Sequence, residues 1–267
     1  MPPAASFVAR RSTWMKAKEG VFLIAYGITD RGLVRAQNQD SYTFWTEDQL
    51  LFAIVCDGMG GARSGNVASQ MAVELFSEQV KAFPQLPPSD RMTQALTVAN
   101  DAVLQRSLTD PDCAGMGTTL VTALVQPDKH VYLMNVGDSR CYHISEDGIV
   151  QVTRDHSLVA NLVAQGKITP EQARTHPNRN IITRALGTEQ HVVGDLYELD
   201  LHPGEFLLLC SDGLSNQVEE QEMLFEALYG GDESTCCQRL LDIALSRGAP
   251  DNVTAILIAC GDETESN

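Results

Sequence analysis

The chain has 267 residues, 43% of them hydrophobic, a net charge of −16 and seven cysteines. That apolar share supports a full core and excludes a disordered chain. The acidic balance excludes nucleic acid as a default partner, because phosphate backbones are gripped by Lys and Arg, and it disfavours anionic membranes. No stretch reaches the roughly 18 apolar residues of a membrane helix. No CxxC pair points to zinc, and an odd, scattered set of thiols fits a reducing compartment. The expectation is a cytoplasmic, monomeric protein.

Residues 1–20 show no hydrophobic period and are read as a flexible N-terminal arm. Residues 21–28 form the first expected strand. The polar loop TDRGLVRAQNQDSY follows and carries Arg31, Arg35, Asn38 and Asp40. Residues 42–45 resume a strand, and Glu47-Asp48 turns. The unbroken apolar run 51–56 then delivers Asp57 into a run of glycines. Such a run bounded by glycine reads as a buried strand.

Val67, Met71 and Leu75 recur every fourth residue, with Ala68, Ala72, Phe76 and Val80 widening the stripe, so a helix is expected there. PQLPPSD ends it. Ser89 is the expected cap of a second helix carrying Met92, Leu96, Ala99 and Val103 on one face.

From Gly115 onward GMGTTLVTALV, HVYLMNV, RCYHIS and IVQVT alternate with QPDK, GDS and EDG. This reads as an antiparallel meander, with Asp138 in a hairpin turn. A flap of two short helices is expected at 157–185, with a capping box from Thr169 and Gln172 and Pro170 opening the helix. Strands at 196–201 and 206–210, helices at 219–228 and 233–247, and a strand at 253–260 complete the chain before an acidic tail at 261–267. With no repeat and no composition break, 21–260 reads as a single domain. The order is not βαβ, so the expected class is α+β, antiparallel sheets covered by helices.

Asp57, Asp138 and Asp212 each follow a strand-like run, and Asp251 precedes one. An isolated Asp-Gly after a strand is more often a turn; the repetition suggests one acidic cluster. Carboxylates without thiolate or imidazole partners suit hard cations, Mg²⁺ or Mn²⁺. Two such ions about 4 Å apart can share and activate a water. Asp57 is the candidate bridging ligand, and the Gly58 carbonyl can add another. Arg35 presents a planar fork that matches two phosphate oxygens. An acidic metal site with one arginine fits phosphoester hydrolysis.

RGLVRAQNQD, VCDGMGG, GMGTT, NVGDSR, TRDHSLV, HPNRNIITRALG, LLCSDGLS and PDNVTAI occur in that order. Together they resemble the bacterial branch of the metal-dependent protein serine/threonine phosphatases, type 2C, across about 21–260. The resemblance implies a four-layer α-β-β-α sandwich with metals at one end of two central sheets. It implies that Asp57 bridges two ions, Gly58 offers its carbonyl, Asp212 and Asp251 hold the first ion, and Asp138 with Asp212 holds a third, weaker one. It implies that Arg35 grips the substrate phosphate and Asp40 orients water. The implied reaction is direct attack by a metal-bridging hydroxide on phosphoserine or phosphothreonine in phosphoprotein substrates, opposite a serine/threonine kinase. The chain departs from the family at Gln39, where many members have a metal-binding Glu. It departs again at Met59 and Ala62, where members place His, and the proton donor is unassigned. A phosphoprotein-binding regulatory module and a small-molecule phosphoesterase are the rival readings; intact metal aspartates argue against the first. The acidic surface leads to an expectation of substrates with basic flanks.

Overall fold

A computed structural model describes residues 11–17 and 20–262. In chain order the strands are β1 (Arg11–Lys16), β2 (Val21–Asp30), β3 (Asp40–Glu47), β4 (Leu50–Met59), β5 (Gly117–Thr118), β6 (Leu120–Val125), β7 (His130–Val136), β8 (Arg140–Ser145), β9 (Gly148–Gln151), β10 (Asp195–Asp200), β11 (Phe206–Cys210) and β12 (Val253–Asp262). The helices are α1 (Gly61–Ala82), α2 (Pro88–Thr109), α3 (Leu158–Ala164), α4 (Pro170–Arg174), α5 (Asp212–Ser215), α6 (Glu220–Leu228) and α7 (Cys236–Ser246). One sheet runs β1-β2-β12-β11-β8-β9, and the other β10-β7-β6-β4-β3 with β5 beside β4.

The continuous apolar runs are explained by burial on both faces of each sheet. In β4, Leu51, Ala53 and Val55 face the other sheet and meet Leu207, Leu209, Ile256 and Ile258. The alternate residues Phe52, Ile54 and Cys56 lie under the first helix pair with Ala72, Phe76 and Leu96. On the opposite side Leu208, Ala255 and Leu257 pack against Leu240 and Leu241 of α7. With a period of two along each strand, these three apolar layers define the expected four-layer α-β-β-α sandwich.

Four expectations are corrected. The arm is not elementless: Arg11–Lys16 pairs with β2, placing Thr13 opposite Ala25 and Met15 opposite Leu23. Its six residues are too short to declare a period, and its buried face is only Met15, with Ala17 just beyond. The second helix begins at Pro88 with Pro87 before it and no side-chain cap, so Ser89 is inside the first turn. The fixed φ of proline suits that start without a capping hydroxyl. Gly137–Ser139 is not a hairpin: β7 pairs with β6 and β10, whereas β8 pairs with β11 and β9 in the other sheet. Finally, Gly261 and Asp262 continue β12, paired with Phe22 and Val21. Residues 1–10 of the expected arm and 263–267 of the expected tail lie outside the described residues.

The expected Thr169–Gln172 capping box is present on α4. The flap leaves the body through two adjacent chain segments. Ser157 bridges Ile182, and the Thr183 N–H donates to the His156 carbonyl at 2.7 Å.

Candidate active site

One cleft of about 550 Å³ is lined by Arg35, Asp57, Gly58, Asp138, Asp212 and Asp251 together with Gln39 and Met59. Six of the seven residues singled out from sequence therefore meet in it. The seventh, Asp40, is buried, at the start of β3 and directly opposite Asp57 in the ladder. Each comes from a different place. Asp57 ends the apolar part of β4, Asp138 sits in the crossover between sheets, Asp212 opens α5 after β11, and Asp251 stands just before β12.

The glycine after Asp57 is required by close approach. A Cβ on Gly58 would lie 2.0 Å from the Gly65 carbonyl, and one on Gly65 would lie 2.6 Å from the Gly58 carbonyl oxygen. Two glycines thus bring β4 against the start of α1, with the Gln39 side-chain amide beside them. The Gly58 N–H donates to the Gln39 carbonyl, which also accepts from Ser69 Oγ at 2.6 Å.

The carboxylates repel one another. Burial holds Asp57 well above the usual carboxylate range, and the charges of Asp40, Asp212, Asp138 and Asp251 push the same way. Burial lifts Asp40 to about 7, opposed by hydrogen bonds from Thr254 and Ser211. Asp138 also rises to about 7, from burial and then from Asp212 and Asp155. Asp212 is raised by burial and by Asp251. One oxygen each of Asp40 and Asp212 is buried without a hydrogen-bond partner. Buried, orphaned, mutually repelling oxygens suit hard divalent cations, and the donors are all oxygen. Among the described residues no three ligating side chains form a closed set. Both oxygens of Asp251 are engaged: Arg35 Nη2 donates to Oδ2 at 2.7 Å and the Asn252 N–H to Oδ1 at 2.9 Å.

Sequence reasoning missed the residues that hold this arrangement. Asn252 Oδ1 accepts from the Gln39 N–H at 2.8 Å, and its amide donates to the Arg31 and Gln37 carbonyls at 2.8 and 3.0 Å. It therefore ties the Arg35 loop to the Asp251 turn. Ser211 Oγ donates to Asp40 Oδ2 at 2.8 Å and accepts from the Thr254 N–H. Thr119 Oγ1 accepts from the Asp57 N–H at 2.9 Å and meets Ser139 Oγ at 2.7 Å. The PDN and GTT motifs contain two of these residues, but only as neighbours of the aspartates and glycines.

His156 supports the crossover. Its Nδ1 accepts from the Gly137 N–H at 3.0 Å and its Nε2 faces Asp195 at 3.1 Å. Burial lowers its pKa, so the neutral ring keeps that acceptor. Beside Asp138, Arg140 forms a two-toothed pair with Asp155, Nε donating to Oδ1 at 3.0 Å and Nη2 to Oδ2 at 2.7 Å.

Residues 34–234 match the family model "Protein phosphatase 2C". The chain is 39% identical over 235 residues to the "Serine/threonine phosphatase stp" of Listeria innocua serovar 6a, covering 86% of this chain and 93% of that protein. Its fold superposes with a TM-score of 0.84 on the serine/threonine phosphatase Stp1 from Staphylococcus aureus, at 36% identity, covering 88% and 94% of the two chains. The catalytic domain of PstP in complex with two manganese ions is similar at a TM-score of 0.80 and 34% identity, covering 91% of this chain and 100% of that one. The ordered motifs, the two-sheet sandwich and the acidic cleft agree with those likenesses, and the chain belongs to the protein phosphatase 2C family, in its bacterial serine/threonine phosphatase branch.

Proposed function

We propose that this serine/threonine phosphatase hydrolyses phosphoserine and phosphothreonine in proteins at a site built for two Mn²⁺ or Mg²⁺ ions, with a third held more weakly. The observation that carries the reading is the meeting of Asp57, Asp138, Asp212 and Asp251 from separate elements in one cleft, with a buried oxygen of Asp212 left without a partner. Asp57 would contact both ions, Asp212 and Asp251 the first, the Gly58 carbonyl one of the pair, and Asp138 with Asp212 the third. Bound there, such ions supply an activated water and neutralise phosphoryl oxygens.

The chain's own residues do the rest. Arg35 uses one of its donors on Asp251, and its remaining N–H groups can take a phosphate. Asp40, fixed by Ser211, keeps one oxygen free to orient water. Asn252 holds the Arg35 loop at the cleft. The phosphoproteins it would act on are products of a serine/threonine kinase, and the seven free cysteines, all buried, fit a reducing setting. Among the described residues no helix is long and apolar enough to cross a membrane.

The test is phosphate release from a phosphothreonine peptide, with and without Mn²⁺, for the wild type and Asp212→Ala. Wild-type release should need the metal, and the variant should lose about 10²-fold or more, because a cation contributes several kcal/mol at the transition state. Metal-independent release, or full activity in the variant, would sink the reading. A wild type that binds Mn²⁺ and the peptide without turnover would instead support the regulatory-module reading.

A further inference from the structure

The acidic total hides a basic segment. Residues 154–184 carry five lysines and arginines against two acids, in a chain of net charge −16. The flap turns part of that charge onto a second groove of about 880 Å³. Asp138, Asn180 and Asp212 line both this groove and the catalytic cleft, so the two are continuous.

The charges in the groove divide into engaged and available. Arg140 is occupied by Asp155 at 2.7 Å, and Arg247 by Glu222 at 2.6 Å. Asp138 and Asp212 belong to the candidate metal site. Arg154, Arg174 and Arg179 line the groove, are exposed, and make no ion pair among the described residues. Glu171 stands beside Arg174 on α4. Glu219 and Glu220 also line the groove, the first of them capping its own helix. The groove therefore presents three guanidinium forks without carboxylate partners among the described residues, and each fork matches a carboxylate.

A phosphopeptide with its phosphoryl group in the cleft leads its neighbouring residues along the shared wall into this groove. We propose that the flap groove is a substrate subsite for acidic side chains flanking the phosphorylated residue, held by Arg154, Arg174 and Arg179. The proposal rests on the phosphatase reading above. It reverses the expectation of basic flanks drawn from net charge. At physiological salt, charges act over a Debye length of about 8 Å, so the nearby arginines outweigh distant carboxylates.

The experiment measures binding, so that it does not depend on turnover. Fluorescent peptides carry a phosphonomethyl analogue of phosphothreonine, which cannot be hydrolysed, flanked by Glu, Ala or Lys. Their affinities are compared in Mn²⁺ buffer for the wild type and the double variant Arg174→Gln/Arg179→Gln. The Glu-flanked peptide should bind about fivefold tighter than the Ala-flanked one, the sum of two exposed ion pairs. In the variant the ratio should fall to about twofold or less, and raised salt should erase it in both proteins. Equal affinities in the wild type, tighter binding of the Lys peptide, a preference that survives in the variant, or no peptide binding at all would each overturn the proposal. Turnover of p-nitrophenyl phosphate, which has no flanking residues, is followed separately. Its absence would refute the phosphatase reading, while the affinity ranking still judges the groove.

Discussion

Asn252 shows how much of the site depends on one uncharged side chain. It is buried and makes three hydrogen bonds to backbone groups of residues 31, 37 and 39. Asn252→Ala leaves those groups without partners. A loss of about 2 kcal/mol is expected, since the three bonds are part-buried, read as a lower urea midpoint with an unchanged slope. Phosphate release should fall as well, because the loop carrying Arg35 loses its tie to Asp251. Asn252→Asp keeps an acceptor for the Gln39 N–H but removes both donors and adds a charge to an acidic cleft, so it should be no better than alanine. A variant with wild-type stability and rate would show that the loop is held by other means. The aspartates were legible in the sequence because each adjoins an apolar run, and Asp57 and Asp212 are also followed by glycine. Asn252, Ser211 and Thr119 were not, because their bonds span 213, 43 and 62 residues and their residue types are ordinary in loops.

At the scale of elements, local signals succeeded where the partner is local. The Thr169–Gln172 capping box and the turn expected at Glu47-Asp48, which falls one residue later at Asp48 and Gln49 with positive φ at both, lie within a few residues of what they control. The Gly137–Ser139 crossover has the residues of a hairpin turn, and only the partners of β7 and β8 reveal that it changes sheets. β1 failed for another reason, since a six-residue edge strand buries one face through a single large side chain. That gives a test. Met15 is 5% exposed and Trp14 67%. Met15→Ala should cost about 2–4 kcal/mol, and Trp14→Ala should stay within about 0.5 kcal/mol. Equal, small effects in urea unfolding would restore the flexible arm.

At the scale of the whole molecule, the aspartates bring together elements of both sheets. Asp57 belongs to one sheet, Asp212 and Asp251 adjoin strands of the other, and Asp138 lies between the two. A cation among them is therefore linked to global stability. With metal removed by a chelator, Asp40 and Asp138 titrate near 7 in the folded protein, against an ordinary 3.8. The folded state then binds more protons than the unfolded state across that interval. Stability without metal should consequently fall as pH rises from about 4 to 7. Metal binding requires the ionised carboxylates, so its benefit should grow over the same range. Mn²⁺ at about 100 times its dissociation constant adds about 2.7 kcal/mol per site, or about 5–10 °C in melting temperature for a domain of this size. The expected pattern is a large Mn²⁺-induced rise at pH 8, a small one at pH 5, and a reduced rise at pH 8 in Asp212→Asn. Thermal unfolding with Mn²⁺ or chelator at the two pH values reads it directly. A rise that is larger at pH 5, or unaffected by the substitution, would place the metal elsewhere than this cleft.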